Sequence, residues 1–265
     1  MRRVIGIVLG LGLALVADRA QAPRPLSSAA AVAATAGDRD TARVPLGPSA
    51  SGTSAFVAWP AVARPVPAVI VIHEWWGLNG QIRSVAKRLA QEGYVAIVPD
   101  LYHGRVAGDM EYAHELSRGL DEDRALGDIA AAAAWLRAQP RVHRARIGVV
   151  GFCMGGRLSE LFALRSPEVS AAVMFYGLPE SDPGKLASLT APLQGHFGRE
   201  DRGIGLDQVE SLRAGLAKAG KRGDIYVYAG AGHAFMHEGR TSYHPDAARQ
   251  AWARTLQFFQ KHLKG

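Results

Sequence analysis

The chain has 265 residues, 48% of them hydrophobic and 21% charged, which suits one large domain with a well-buried core and excludes a chain disordered throughout. Its formal net charge is +7, yet Lys87, Arg88, Arg137, Arg141, Arg144, Lys218, Lys221 and Arg222 are scattered and do not form a patch interleaved with aromatics, which speaks against nucleic-acid binding. The single cysteine, Cys153, excludes an internal disulfide, so its thiol is buried, reactive or paired between chains.

Arg2-Arg3, the apolar stretch Val4 to Ala17 and then Ala20-Gln21-Ala22 have the charged, apolar and small-x-small order of a secretory signal peptide, with cleavage expected after Ala22. The stretch falls short of the ~20 apolar residues that cross a bilayer, so no stable membrane anchor is expected and the mature protein is expected to be secreted or periplasmic. Losing Arg2, Arg3, Asp18 and Arg19 would take Lys+Arg from 31 to 28, Asp+Glu from 24 to 23, and the net charge from +7 to +5. Residues 23–50, rich in Ala, Pro and Ser, read as a linker with little order, and 51–265 as the folded domain.

Ser54 to Pro60 has strand character, and Ala68 to Ile72 is a continuous apolar run of the kind buried on both faces of a parallel sheet. A helix over Gln81–Gln91 leads to a strand at Tyr94–Asp100, and the polar segment Tyr102–Gly119 suits a loop with a short helix. A helix over Asp123–Ala138 precedes the strand Arg146–Val150. Strands follow at Ala171–Tyr176, Leu193–Phe197 and Asp224–Tyr228, with helices at Asp207–Ala219 and Ala247–Leu263. Alternating apolar strands and helices predict a single-domain α/β fold with a mostly parallel, doubly wound sheet and helices on both faces.

Gly151-Phe152-Cys153-Met154-Gly155-Gly156 joins strand to helix, the setting of a nucleophile elbow with cysteine at the nucleophile position. A buried structural cysteine is the competing reading; a dinucleotide loop is not, because Gly-x-Gly-x-x-Gly spacing is lacking. Other strand ends carry Glu74, Asp201 and His233, and the order nucleophile, acid, base is that of the α/β-hydrolases. Asp201 competes with Glu200 and Asp207 for the imidazole. His73, His103, His196, His237 and His244 also lie near strand ends or loops, but only His233 follows the last strand in a glycine-flanked turn. No His-x-x-His or Cys-His ligand spacing points to a metal, and no cofactor is expected.

His73-Glu74-Trp75-Trp76-Gly77-Leu78-Asn79, Val98-Pro99-Asp100-Leu101-Tyr102, Gly148 to Gly156, Gly198-Arg199-Glu200-Asp201 and Gly232-His233-Ala234-Phe235 together resemble the dienelactone hydrolase (carboxymethylenebutenolidase) family over residues 53–263. The resemblance implies hydrolysis of a small ester or lactone by a Cys153–His233–Asp201 triad, with Glu74 pairing with the resting thiol. It implies an oxyanion hole made by the backbone N–H groups of Met154 and Trp75. Family arginines that bind a substrate carboxylate fall where this chain has His103-Gly104-Arg105 and Met236-His237, so Arg105 and His237, with Trp76 and Tyr102, are the expected substrate-binding residues. Thioester hydrolysis or acyl transfer on the same triad, and a non-catalytic binding protein on this fold, are the alternative functions. A monomer is the expectation.

Overall fold

The computed structural model describes residues 41–46 and 52–265; the expected signal peptide and most of the expected linker lie outside them. Eight strands form one sheet: β1 (Thr41–Pro45), β2 (Ser54–Ala58), β3 (Val66–Ile72), β4 (Val95–Pro99), β5 (Val142–Phe152), β6 (Ala171–Phe175), β7 (Leu193–Gly198) and β8 (Gly223–Tyr228), in the spatial order β1-β2-β4-β3-β5-β6-β7-β8. β1 pairs antiparallel with β2 and β2 antiparallel with β4, and every other pairing is parallel.

Strand β1 lies within the stretch expected to be a linker, and this corrects the sequence reading. Its residues are mostly exposed and carry no apolar pattern, so the ladder to β2, from Thr41 opposite Ala58 to Pro45 opposite Ser54, supplies an order that local composition does not announce. Arg43 secures it by donating to Asp100, 2.8 Å away and buried.

The central strands have side chains buried on both faces, which is why β3 reads as an uninterrupted apolar run. Ala68, Ile70 and Ile72 pack with helices α3 (Glu122–Ala138), α4 (Met154–Arg165) and α6 (Leu206–Lys218). Val69 and Val71 face the other layer, with α1 (Gly80–Gln91) and α7 (Pro245–Phe259). Two further helices are short: α2 (Met110–Arg118) buries Ala113 and Leu116 in a cluster with Trp76 and Tyr102, and α5 (Pro183–Leu186) buries Leu186 in the layer of α3, α4 and α6. The last turn, Gln260–Lys264, widens into a π-helix that buries Leu263.

Parallel β3, β5, β6, β7 and β8 end on the same side, and the βα loops gather there. The tightest of these joins β5 to α4. Cys153 sits in it with φ +54° and ψ −118°, a backbone conformation that L-residues rarely adopt. A β-carbon at Gly151 would run into the carbonyl of Gly155, and one at Gly155 into the carbonyls of Ile72 and His73, the latter 2.6 Å away. Only hydrogen at these two places lets the elbow close on itself and lie against the end of β3.

Gly155→Ala is therefore expected to lower the urea midpoint, losing about 1–3 kcal/mol by overpacking. Gly127→Ala, on an open position of α3 with nothing within 4 Å, is expected to gain up to ~1 kcal/mol from helix propensity in the same measurement.

Candidate active site

Cys153 presents its sulfur to Nε2 of His233 at 3.1 Å, and Nδ1 of the same ring donates to Oδ2 of Asp201 at 2.8 Å. Asp201 is fixed in turn because its other oxygen accepts the N–H groups of Gly203 (2.8 Å) and Ile204 (3.0 Å). Burial acts to raise the Asp201 pKa, but the bonds from His233 and from these amides outweigh it and hold the carboxyl below its ordinary range. For His233, burial disfavours the charged ring; the bonds to Asp201 and Cys153 and their negative charge prevail and lift its pKa to about 10. Glu200 and Asp207, the competing acids, are not the imidazole's partner: Asp201 is.

His233 is carried by the loop after β8, and its neighbour Ala234 has φ +59°. Tyr176, at the end of β6, has φ +38°. With Cys153, three of the four described non-glycine residues at positive φ belong to this site, the fourth being His103. Backbone strain is concentrated where three βα loops converge on the sulfur.

Glu74 is buried, and its carboxylate is engaged away from the sulfur. Its Oε1 accepts the Tyr176 hydroxyl at 3.1 Å and its Oε2 accepts Nδ1–H of His237 at 2.8 Å. A buried carboxylate requires donors, and these two side chains provide them. The expected pairing of Glu74 with the resting thiol is accordingly replaced: the sulfur's hydrogen-bond partner is His233. Tyr176 answers to the same environment, since burial first and the Glu74 charge second push its hydroxyl pKa well up.

The sulfur opens into a cavity of about 370 Å³ lined by Trp75, Trp76, Cys153, His233, Ala234, Arg240 and Ser242. Trp75 stands edge-on to both Trp76 and His114. The backbone N–H groups of Trp75 and of Met154, the first residue of α4, have no acceptor among the described residues. Both are thus available to an oxygen beside the sulfur.

Three of the expected substrate-binding residues lie elsewhere. Arg105 is exposed, folded back so that Nε donates to the Tyr102 carbonyl at 3.1 Å, and does not line the cavity. His237 is buried and spent on Glu74. Tyr102 is buried behind the elbow, its hydroxyl 3.4 Å from Sδ of Met154 and its ring against His73. The cation at the cavity is Arg240, whose guanidinium lies 3.6 Å above the Trp76 ring. Neither Arg240 nor Tyr176 was singled out from the sequence; a cation in the histidine's own loop was the available hint for the first, and the second carried none.

Fold and site together define an α/β-hydrolase with a cysteine, Cys153, in the tight turn after β5. Residues 53–263 match the Dienelactone hydrolase family. A protein of Escherichia coli (strain K12) named "Putative carboxymethylenebutenolidase" is 37% identical over 214 residues, 75% of this chain and 78% of its own length. A protein of the same name from Methylorubrum extorquens is 30% identical over 277 residues, covering 98% of this chain and 92% of the relative. Among solved structures, the "Putative Dienelactone Hydrolase" of Klebsiella pneumoniae superposes with a TM-score of 0.78 at 33% identity, over 83% of this chain and 98% of that one. The chain belongs to the dienelactone hydrolase family, hydrolases of lactones and esters.

The His233 pairing makes a measurable claim. Followed by NMR, the ring protons of His233 are expected to titrate near pH 10 in the wild type and ~1–3 units lower in Asp201→Asn, because removing the carboxylate charge favours the neutral ring. A wild-type midpoint at the ordinary 6.5 would contradict the coupling.

Proposed function

We propose that this protein is an exported hydrolase of esters or lactones that uses Cys153 as nucleophile, His233 as acid–base and Asp201 as its orienting carboxylate. The supporting observation is the unbroken line from sulfur through imidazole to carboxylate, at 3.1 and 2.8 Å, on the floor of a cavity. Export rests on the composition of residues 1–22, with cleavage after Ala22.

Nε2 of His233 faces the sulfur, and its raised pKa lets the ring take the Cys153 proton, so that the attacking sulfur is a thiolate held by an imidazolium. Sulfur attacks the carbonyl carbon, a C–S bond forms, and the carbonyl electron pair moves onto oxygen. The N–H groups of Met154 and Trp75 stabilise that oxyanion. As the tetrahedral species collapses the C–O bond to the leaving group breaks, and the departing alkoxide takes the Nε2 proton. Neutral His233 then removes a proton from water, which attacks the thioester; a second tetrahedral species expels the thiolate and releases the acid, restoring the ion pair. Throughout, Asp201 holds Nδ1–H, so the ring always presents Nε2 to the reaction.

Arg240 sets the substrate's character in this reading. Stacked on Trp76 at the cavity, it offers a permanent charge to an acidic group on the acyl or alcohol side. The two tryptophans and Ala234 make much of the remaining lining apolar, and a volume of about 370 Å³ favours compact substrates.

With a p-nitrophenyl ester of a short acid, wild-type enzyme is expected to show a burst of one equivalent followed by slower turnover, and Cys153→Ala and His233→Ala to lose ~10³-fold or more. Full turnover by Cys153→Ala would refute the mechanism. Arg240→Ala is expected to raise KM for a carboxylate-bearing ester by about tenfold while leaving a neutral ester within ~2-fold, the size of one charge-assisted contact.

A further inference from the structure

His73 is fully buried, yet it belongs to neither the triad nor the Glu74 cluster. Its Nδ1 lies 2.6 Å from the carbonyl oxygen of Glu74, the next residue, while its Nε2 has no partner among the described residues. A carbonyl oxygen only accepts, so Nδ1 carries the proton. Burial lowers the ring's pKa against the opposing pull of that bond and of Asp100 and Glu74, which favours the neutral ring, and the bond to the carbonyl fixes the Nδ1–H tautomer.

The bonded carbonyl is half of the peptide group whose other half is the N–H of Trp75. A peptide group is planar and trans, so holding its C=O in one direction aims its N–H in the opposite one. Two donors hold this C=O: Nδ1–H of His73 and the N–H of Gly77 at 3.1 Å. The N–H they aim has no acceptor among the described residues and belongs to a residue lining the cavity with Cys153. The Tyr102 ring, 5.0 Å from the imidazole, closes the space around it.

We propose that His73 is a positioning residue of the oxyanion hole, its Nδ1–H locking the Glu74–Trp75 peptide so that the Trp75 N–H faces the oxygen that develops beside Cys153. This rests on the hydrolase function proposed above. Neither the imidazole nor its proton touches the substrate; the effect passes through one rigid peptide plane.

Asparagine and glutamine separate the two ring nitrogens, because the Asn amide nitrogen occupies the place of Nδ1 and the Gln amide that of Nε2. With a p-nitrophenyl ester, His73→Leu and His73→Gln are expected to lose about 10–100-fold in kcat, part of the ~10²–10³ that a whole oxyanion donor supplies, with KM within ~3-fold. His73→Asn is expected to keep at least about a third of wild-type kcat. Alkylation of Cys153 by iodoacetamide should proceed within ~2-fold of wild type in all three, since the thiolate pair is untouched. Wild-type kcat in folded His73→Leu, a loss in His73→Asn equal to that in His73→Leu, or alkylation falling in step with kcat would each overturn the proposal.

Should the Leu and Gln variants fail to fold, ring ¹⁵N shifts of wild-type His73 decide: a pyrrole-type Nδ1 supports the assignment, and a pyrrole-type Nε2 overturns it. Cys153→Ala in the same ester assay separates the two levels. Persisting turnover there sinks the hydrolase function itself, whereas its loss beside an unimpaired His73→Leu sinks only the positioning role.

Discussion

Everything at this site depends on how closely the turn after β5 approaches the end of β3. The carbonyls of Ile72 and His73 occupy the space that a side chain at residue 155 would need, and the carbonyl of Gly155 fills the space that one at residue 151 would need. Backbone therefore touches backbone at both points. The start of α4 and the segment from His73 to Trp75 come to lie side by side, each with an N–H that has no acceptor among the described residues.

Such an approach is energetically awkward, and the molecule shows where the strain falls. Cys153, Tyr176 and Ala234 all adopt positive φ without being glycine. Each is a loop residue whose conformation is imposed by its neighbours: Cys153 by a bond from its N–H to the Phe175 carbonyl, Tyr176 by one to that of His196, and Ala234 by the loop that presents His233. Parallel pairing across β5, β6 and β7 makes those imposed positions mutually consistent, because consecutive strands in one register carry the bonds from one loop to the next.

The two buried acids nearest the sulfur, Asp201 and Glu74, belong to separate systems. Asp201 serves His233, and through it the sulfur. Glu74 is hydrogen-bonded from the other side by His237 and Tyr176. Both carboxylates are adequately paired, so neither is left as an isolated buried charge, and the thiol is left to a single partner. The charge available to a substrate comes from a third place, Arg240 on the Trp76 ring.

The sequence alone determined the elements whose cause is local. The apolar run of β3 is buried on both faces, so it announces itself. Gly151 is demanded by a clash with the Gly155 carbonyl four residues on, whereas Gly155 answers to distant carbonyls at the end of β3; the acid and base sit at strand ends that the strand-and-helix alternation locates. Tertiary structure alone decided the pairings. Strand β1 owes its order to a ladder with β2, the Glu74–His237 bond joins residues 163 apart, and Arg240 finds its place on a ring from the far end of the chain. Glu74 was visible as a carboxylate at the right strand end, but which donors would claim it depended on loops folding over it from β6 and β8. Composition and spacing encode what a residue can do within a few positions of itself; which partner it meets is set by how the sheet brings distant loop ends together.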